Sequence, residues 1–452
     1  IGSTIGSGVF VLTGKAVPQA GPSAVLAWFC AGFICFLSSA SYMELSARLP
    51  TKGSCYVFSQ HGLGELAGIV GAVCLTMEYG VSSAGVARGW SSKLSSRFHI
   101  RPYWCYNGQK WDHGCDADDD YYLDPMAAGI TLLCTVIIAT GMDMGKVVIN
   151  GFTLCKVFLV AFMIIAGLAC WTGKRFSSID TFAPQGAAGV FQATAALFFG
   201  FIGFDEVCCM ASKASNPSKS MPRALIGTLL GASVFSGLAQ MALVAMVPFT
   251  TGMSATSFEM AFEQHGLLWA SWLVSIGELS LLPLVVLLGT LPQPEVMAAM
   301  SDDGLLPSVF SCQNRRGVYF QGTWIVGIAL TLVAFVAPFT LLWDLTSLAV
   351  LVSFNLTNCA LINIRYGNGG FLNEPIVDLI VWALFLCTGV AGFSCERGVV
   401  RRLLDAQPVK VSASVFFLVS AAATVAMCAL LTRRFHFRCG MDDPRIFKAP
   451  AV

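Results

Sequence analysis

Apolar segments of about 20 residues recur along the whole chain, and each is long enough to cross the hydrocarbon core of a bilayer as a helix. Of the 452 residues, 56% are hydrophobic and 12% are charged, whereas a soluble domain carries about 25% charged residues. This pattern predicts an all-α polytopic membrane protein. We place about twelve spans, at 1–13, 22–46, 64–91, 126–142, 147–171, 187–211, 223–247, 268–297, 323–339, 341–363, 376–393 and 412–432.

Basic residues between the predicted spans orient the chain weakly, because Lys and Arg favour cytoplasmic loops. With residue 1 on the cytoplasmic side, more of them fall in inner loops than in outer ones. The longest outer loop is then 92–125, which is rich in Asp and holds Cys105 and Cys115. In an extracellular loop these two cysteines form a candidate disulfide. The net charge of +1 indicates no nucleic acid partner.

Two glycine-dense stretches, 2–8 and 200–205, interrupt predicted spans about two hundred residues apart. Glycine costs a helix roughly 1 kcal/mol against alanine, and a bilayer penalises every backbone group that lacks a hydrogen-bond partner. Such breaks predict discontinuous helices, which line the substrate site in secondary transporters. The alternative is that the glycines only let helices pack closely.

Other classes of protein find little support in the sequence. The spans offer no nucleophile–base pair, the five histidines are scattered, and no Gly-Lys-Ser/Thr follows the first glycine stretch. We therefore predict no enzyme, no metal site and no cofactor. A channel would show rings of charge or carbonyl-rich filter loops, and neither pattern is present in the sequence.

A series of motifs follows in order from residue 1 to about residue 365. They are Gly2-Ser3-Thr4-Ile5-Gly6-Ser7-Gly8, Tyr42-Met43-Glu44, Glu78-Tyr79, Phe199-Gly200-Phe201-Ile202-Gly203-Phe204-Asp205, Asn216-Pro217 and Met300-Ser301-Asp302-Asp303-Gly304. Together these motifs resemble the cationic amino acid transporter family of the amino acid–polyamine–organocation superfamily. The resemblance implies a five-plus-five inverted-repeat fold with broken first and sixth helices. The repeats would be 1–171, with a truncated first span, and 187–363. Further spans at 376–432 and a cytoplasmic tail at 433–452, expected to be truncated, would follow.

The two breaks are the predicted substrate site. Broken helices expose N–H groups and a positive dipole end to a carboxylate, and their unwound carbonyls receive a cation. We assign the substrate carboxylate to Ser3, Thr4, Ile5, Gly6, Ser7 and Gly8. The resemblance implies that the ammonium binds at Phe198, Phe201, Ile202 and Asp205. Glu206 and Glu278 are candidate acceptors for a cationic substrate side chain.

Ionisable residues inside spans are costly and mark further candidates. Lys156 resembles the fifth-helix lysine of proton-coupled permeases, so Lys156 and Glu78 are predicted to couple transport to protons. The alternative is a fixed structural cation paired with Glu78 or Asp205. Glu44 and Arg48, one helical turn apart, are predicted to form a gate or a fold-locking pair.

The prediction is a plasma-membrane permease for amino acids, with arginine and lysine as substrates, that works by alternating access. The sequence departs from the family pattern at Ser212, Lys213 and Glu295, where the family usually has a Glu-Glu pair and an arginine. A neutral amino acid exchanger and a non-transporting amino acid sensor therefore stay open as alternatives. Two cysteines in the outer loop favour an internal disulfide over an accessory glycoprotein subunit.

Overall fold

A computed structural model describes residues 17–18, 20–100, 103–106, 111–113, 122–141, 146–171, 179–201, 203–209, 216–247, 257–367, 374–404 and 411–434. Each predicted span from 22–46 onwards overlaps one or more helices of the described part, and span 1–13 lies outside the described residues. In the described part, eight helices are long and apolar enough to cross a membrane, and three shorter apolar helices accompany them. The predicted all-α polytopic character is confirmed at this level.

The helices follow the order of the predicted spans. The first half holds α1 (Ala24–Arg48), α2 (Cys55–Leu63), α3 (Glu65–Thr76), α4 (Ser82–Phe98), α5 (Pro125–Ala139) and α6 (Lys146–Ala169). The second half holds α7 (Ile179–Phe182), α8 (Gly186–Leu197), α9 (Glu206–Cys209), α10 (Pro217–Met246), α11 (Phe258–Gln264), α12 (Leu268–Thr290), α13 (Gln293–Asp302), α14 (Phe320–Val336) and α15 (Phe339–Tyr366). The chain continues with α16 (Pro375–Cys395), α17 (Arg401–Leu404) and α18 (Val411–Arg434).

Two spans depart from regular α-helix near the middle of the molecule. A π-helical turn, Met77–Val81, joins α3 to α4, and such turns are uncommon and frequently lie at functional sites. Predicted span 187–211 is interrupted: α8 gives way to a 3₁₀ turn, Phe198–Phe201, before α9 begins at Glu206. Gly203 lies between these two pieces at φ +106°, a conformation that side chains rarely adopt.

Several sets of helices pack together. Two of them are α1 with α8 and α10, and α4 with α5, α12 and α14. Glycine allows close approach within each group. A Cβ atom on Gly327 of α14 would lie 2.0 Å from Thr135 Cγ2 of α5, and one on Gly32 of α1 would lie 2.7 Å from Ser233 Oγ of α10.

The predicted outer loop 92–125 departs from the all-α prediction, because it contains β-strands. It contains a three-stranded antiparallel sheet of β1 (Trp104–Tyr106), β2 (Trp111–His113) and β3 (Tyr122–Leu123), in the order β2-β1-β3. Aromatic residues favour strands, which explains why this loop does not stay irregular. Cys115 lies outside the described residues and nothing is described of the Cys105 side chain, so their disulfide stays a prediction.

Candidate functional site

Aromatic side chains from α1 and α15 hold the interrupted segment in place. Trp28 of α1 packs on Phe201 with ring centroids 5.1 Å apart. Phe204 packs on Tyr42 and on Phe354, at centroid distances of 5.7 and 5.4 Å. Where α8 ends, the carbonyls of its last turn have no partner within the helix. One of them, that of Ala196, accepts a hydrogen bond of 3.2 Å from Trp343 Nε1. The break is therefore a fixed feature of the packing.

Two buried carboxyl groups meet beside this break. Glu78, in the π-helical turn, and Asp205, before α9, are fully buried, and the two acids interact with each other. Tyr79 donates its hydroxyl to Asp205 Oδ2 at 2.6 Å, and Ser353 of α15 donates to Glu78 Oε2 at 3.3 Å. We call Glu78 and Asp205 the carboxyl pair.

Lys156 of α6, only 1% exposed, lies near a different carboxylate from the one expected. Its attractive partner among the described residues is Glu206, the first residue of α9. The alternative that Lys156 is a structural cation paired with Glu78 or Asp205 stays a prediction. A Cβ atom on Gly289 of α12 would lie 3.9 Å from Glu206 Oε1, so α12 also borders this pair.

Of the other predicted substrate residues, Phe198 and Phe201 are buried in the 3₁₀ turn. Ser3, Thr4, Ile5, Gly6, Ser7, Gly8 and Ile202 lie outside the described residues, as do the family departures Ser212 and Lys213. Glu295 is half-buried in the first turn of α13. The structure thus brings together the 3₁₀ turn, the carboxyl pair, Glu206 and Lys156.

One end of the helix bundle carries a buried ion network. We call this end the Arg48 face, because α1 and α15 both end there. Arg48 Nη2 lies 2.6 Å from Glu44 Oε1, and Arg365 of α15 donates through Nε to the same oxygen at 3.2 Å and through Nη2 to Glu44 Oε2. Sequence reasoning expected the first pair but missed Arg365. We call these three residues the Glu44 triad.

Polar contacts link the segments that surround the Glu44 triad. Lys52 donates to Tyr319 Oη at 2.7 Å, and this hydrogen bond is the main reason that the pKa of Lys52 is raised. Tyr56 of α2 donates to Asp303 Oδ2. Burial and, second, this hydrogen bond raise the pKa of Tyr56 above its usual range. The Arg48 face is therefore tied across both halves of the sequence.

The opposite end of the bundle, which we call the Arg97 face, is held by two ion pairs. Arg97 Nη1 of α4 lies 2.6 Å from Glu263 Oε1 of α11, and the guanidinium carbon is 3.6 Å from the centroid of the Trp272 ring. The hydrogen bond from Arg97 is the first cause that lowers the pKa of Glu263. Lys93 contacts the buried Glu278 of α12, so this candidate substrate acceptor already has a cation partner.

Arg88 of α4 anchors the Arg97 face without a carboxylate in hydrogen-bonding contact. It is fully buried and donates to the carbonyls of Ala334 at 2.7 Å, Phe335 at 2.6 Å and Tyr122 at 3.1 Å. Its guanidinium also stacks 4.6 Å from the Tyr122 ring centroid. A cation at the last carbonyls of α14 stabilises the helix end, so Arg88 ties α4, α14 and the sheet together.

The described part of the chain offers no metal site. There, no group of three or more His, Cys, Asp or Glu side chains is placed to hold a metal ion.

Sequence reasoning missed Tyr79, Ser353 and Arg365 as partners of the predicted acids. Of these, Tyr79 was within reach, because it stands next to Glu78 in one of the motifs.

Comparison of the sequence with known proteins identifies a family and several relatives. A family model described as amino acid permease matches residues 1–400. The chain is 32% identical over 372 residues to "Cationic amino acid transporter 3, mitochondrial" of Arabidopsis thaliana, covering 81% of this chain and 60% of that protein. It is 30% identical over 380 residues to "Cationic amino acid transporter 4" of Homo sapiens, covering 83% and 59% respectively. The chain thus spans about three fifths of the length of these relatives.

Proposed function

Because the chain belongs to the amino acid permease family, we propose that it carries amino acids across a membrane by alternating access around the interrupted segment. The observation that carries the proposal is the break itself, with buried ionisable groups on both sides of it. Ionisable groups inside a membrane are costly unless they serve a pathway or a relay. Membership in a family of permeases also favours transport over enzymatic chemistry.

The packing supports the inverted-repeat arrangement. Helices at equivalent positions of the two predicted repeats pack against each other: α1 on α10, α4 on α12, and α5 on α14. A short helix follows the second predicted span in each half, α2 in the first and α11 in the second. A pseudo-two-fold axis in the membrane plane would bring equivalent elements together in this way.

We propose cationic amino acids, arginine and lysine, as the substrates. The printed names of the relatives describe cationic amino acid transporters, and the described core around the break is rich in carboxylates. The substrate carboxylate would bind at Ser3, Thr4, Ile5, Gly6, Ser7 and Gly8. The ammonium would bind near Phe198, Phe201, Ile202 and Asp205.

Lys156 is the proposed coupling group. Its ammonium is buried and is attracted to Glu206, which begins the helix after the break. Loss or gain of a proton at Lys156 would change the attraction that holds α9, so protonation and the substrate site would be linked. Glu78 would take part through the carboxyl pair.

The membrane of residence is a separate proposal. The protein is a multi-pass membrane protein, and a plasma-membrane location is the expectation from sequence. The printed names of the relatives include mitochondrial and vacuolar members. Localisation of the tagged full-length protein against markers of all three membranes decides between them.

Uptake of labelled arginine into proteoliposomes tests the coupling role, with and without an inward proton gradient. We expect the gradient to raise the uptake rate of the wild-type protein. In Lys156→Met, the gradient should have no effect while saturable arginine binding remains. Asp344→Asn is the matched control, because Asp344 is an exposed acid on α15. A gradient response that survives in Lys156→Met would contradict the assignment.

A further inference from the structure

Helix α12 contains a proline in its interior, and a neighbouring helix supplies a hydrogen bond in place of the one that this proline removes. Pro283 has no N–H group, so the carbonyl of Leu279, four residues earlier, loses the donor that a regular α-helix would supply. Trp90 of α4 donates its indole N–H to this carbonyl at 2.9 Å. In the core of a bilayer there is no water to bond a freed carbonyl. The backbone of α12 is therefore completed at its proline by a side chain of α4.

The half of α12 that precedes the proline is held to α4 by two further side chains. Lys93 contacts the buried Glu278, and Arg97 donates to Ser271 Oγ at 3.4 Å. Trp90, Lys93 and Arg97 are three and four residues apart in sequence, so they lie on one face of α4. This face of α4 thus holds the first half of α12 at three places along its length.

The half of α12 that follows Pro283 has different neighbours. A Cβ atom on Gly289 would lie 2.6 Å from Ser83 Oγ of α4 and 3.9 Å from Glu206 Oε1, so this half borders the helix that begins after the break. Sharp bends of helices occur at prolines. Pro283 therefore separates a half that is tied to the Arg97 face from a half that borders the proposed substrate site.

We infer that Pro283 is a hinge of α12 and that Trp90 is the positioning residue that sets the angle of this hinge. The inference rests on the proposed function and names an element that opens the Arg97 face during alternating access. While the indole holds the Leu279 carbonyl, the first half of α12 stays against α4. When this half moves away together with α11, the indole releases the carbonyl, and water that enters the opened face takes its place.

The position of the hinge agrees with the distribution of contacts along α12. At about 1.5 Å per residue, Glu278 lies about 7.5 Å from Pro283 along the helix, and Ser271 lies about 18 Å from it. A change of the hinge angle therefore moves Ser271 and the adjoining α11 furthest, while Glu278 moves little and stays within reach of the flexible Lys93 side chain. The exposed ion pair of this face lies far from the hinge and the buried one lies close to it, as a hinge at this place requires.

Hydrogen exchange of α12 peptides, measured by mass spectrometry on the full chain in nanodiscs, tests the role of the indole. Trp90→Phe keeps an aromatic ring but removes the donor, so the protection of residues 268–279 should fall about fivefold, the effect of one lost hydrogen bond. Pro283→Ala returns an N–H group to the Leu279 carbonyl. Protection in the double variant should therefore stay within about twofold of that in Pro283→Ala alone. Trp382→Phe is the matched control, because Trp382 is a half-buried tryptophan of α16, and it should exchange as the wild type does.

Arginine uptake into proteoliposomes tests the role of the hinge in transport. Pro283→Ala makes α12 a continuous helix, so the barrier to opening should rise and the maximum rate of uptake should fall about tenfold. Arginine binding at equilibrium should be retained in this variant, because the hinge changes the rate of opening and makes no contact with the substrate. A variant that was merely misfolded would lose binding together with uptake.

The outcomes separate the inference from the function on which it rests. Unchanged protection in Trp90→Phe overturns the inference and leaves the permease proposal standing. An equal loss of protection in Trp90→Phe with and without Pro283→Ala does the same, since the indole would then act by packing alone. A wild-type rate of uptake in Pro283→Ala also overturns the inference. If the wild-type protein takes up no arginine, the proposed function fails, and the exchange experiment still decides whether Trp90 sets the hinge.

Discussion

The Arg48 face and the Arg97 face are held by ion pairs of similar chemistry but different burial. In the Glu44 triad, the side chains of Glu44, Arg48 and Arg365 are at most 6% exposed. On the Arg97 face, Glu263 is 41% exposed. Breaking a buried pair strands a charge, whereas an exposed pair exchanges its partner for water. The Arg97–Glu263 pair is therefore expected to open at lower cost than the Glu44 triad, whereas Glu278, paired with Lys93 on the same face, is as buried as the triad.

The largest expected effect comes from the Glu44 triad. Glu44→Gln would remove the buried carboxylate that faces two buried arginines, so we expect the free energy of unfolding to fall by about 3–5 kcal/mol. Chemical denaturation in detergent micelles measures this loss. Glu263→Gln is the matched control on the opposite face. If both variants lose the same free energy of unfolding, burial does not set the cost of breaking these ion pairs.

An intermediate effect is expected from Arg88. Arg88→Met would remove the side-chain donor to the Ala334 carbonyl, while the Phe335 carbonyl would keep the Asp124 N–H at 3.0 Å. The variant should lower the free energy of unfolding by about 1–3 kcal/mol. Arg316 makes a comparable contact on the Arg48 face, where it donates to the Thr140 carbonyl at 3.0 Å, but it is exposed. Arg316→Met should therefore cost well under about 1 kcal/mol. A larger loss for Arg316→Met than for Arg88→Met would show that burial does not set these costs.

The smallest effect is a pH dependence on the Arg97 face. Arg97 lowers the pKa of Glu263 below its usual value of 4.5, so the pair is fully formed above that value and is lost as the pH falls through the lowered pKa. The contribution is under about 1 kcal/mol because the pair is exposed. Hydrogen exchange of the α11 amides at pH 7 and in acid measures it. Protection that falls equally in Glu263→Gln would assign the change to other groups.

The length of the apolar segments was enough to predict where the membrane-spanning helices lie, because any helix that crosses a bilayer needs such a segment. It was not enough to predict features that depend on how the helices pack against one another. The π-helical turn at Glu78 leaves no mark in the hydropathy, and Arg365 was assigned to a loop although it lies beneath Glu44. Lys156 was singled out by its position inside a predicted span and by the family resemblance, but the attraction of Glu206 to it becomes visible only in the structure.

The central claim, transport by alternating access, is tested most directly by locking the Arg97 face. Arg97→Cys and Glu263→Cys would be combined in one chain. A short cross-linker that forms a disulfide with each of the two thiols would then tie α4 to α11, and a reductant would cleave this bridge. The two single variants treated with the same reagent are the controls. We predict that arginine uptake into proteoliposomes stops in the bridged protein and returns when the bridge is reduced. Full uptake with the bridge intact would contradict the account.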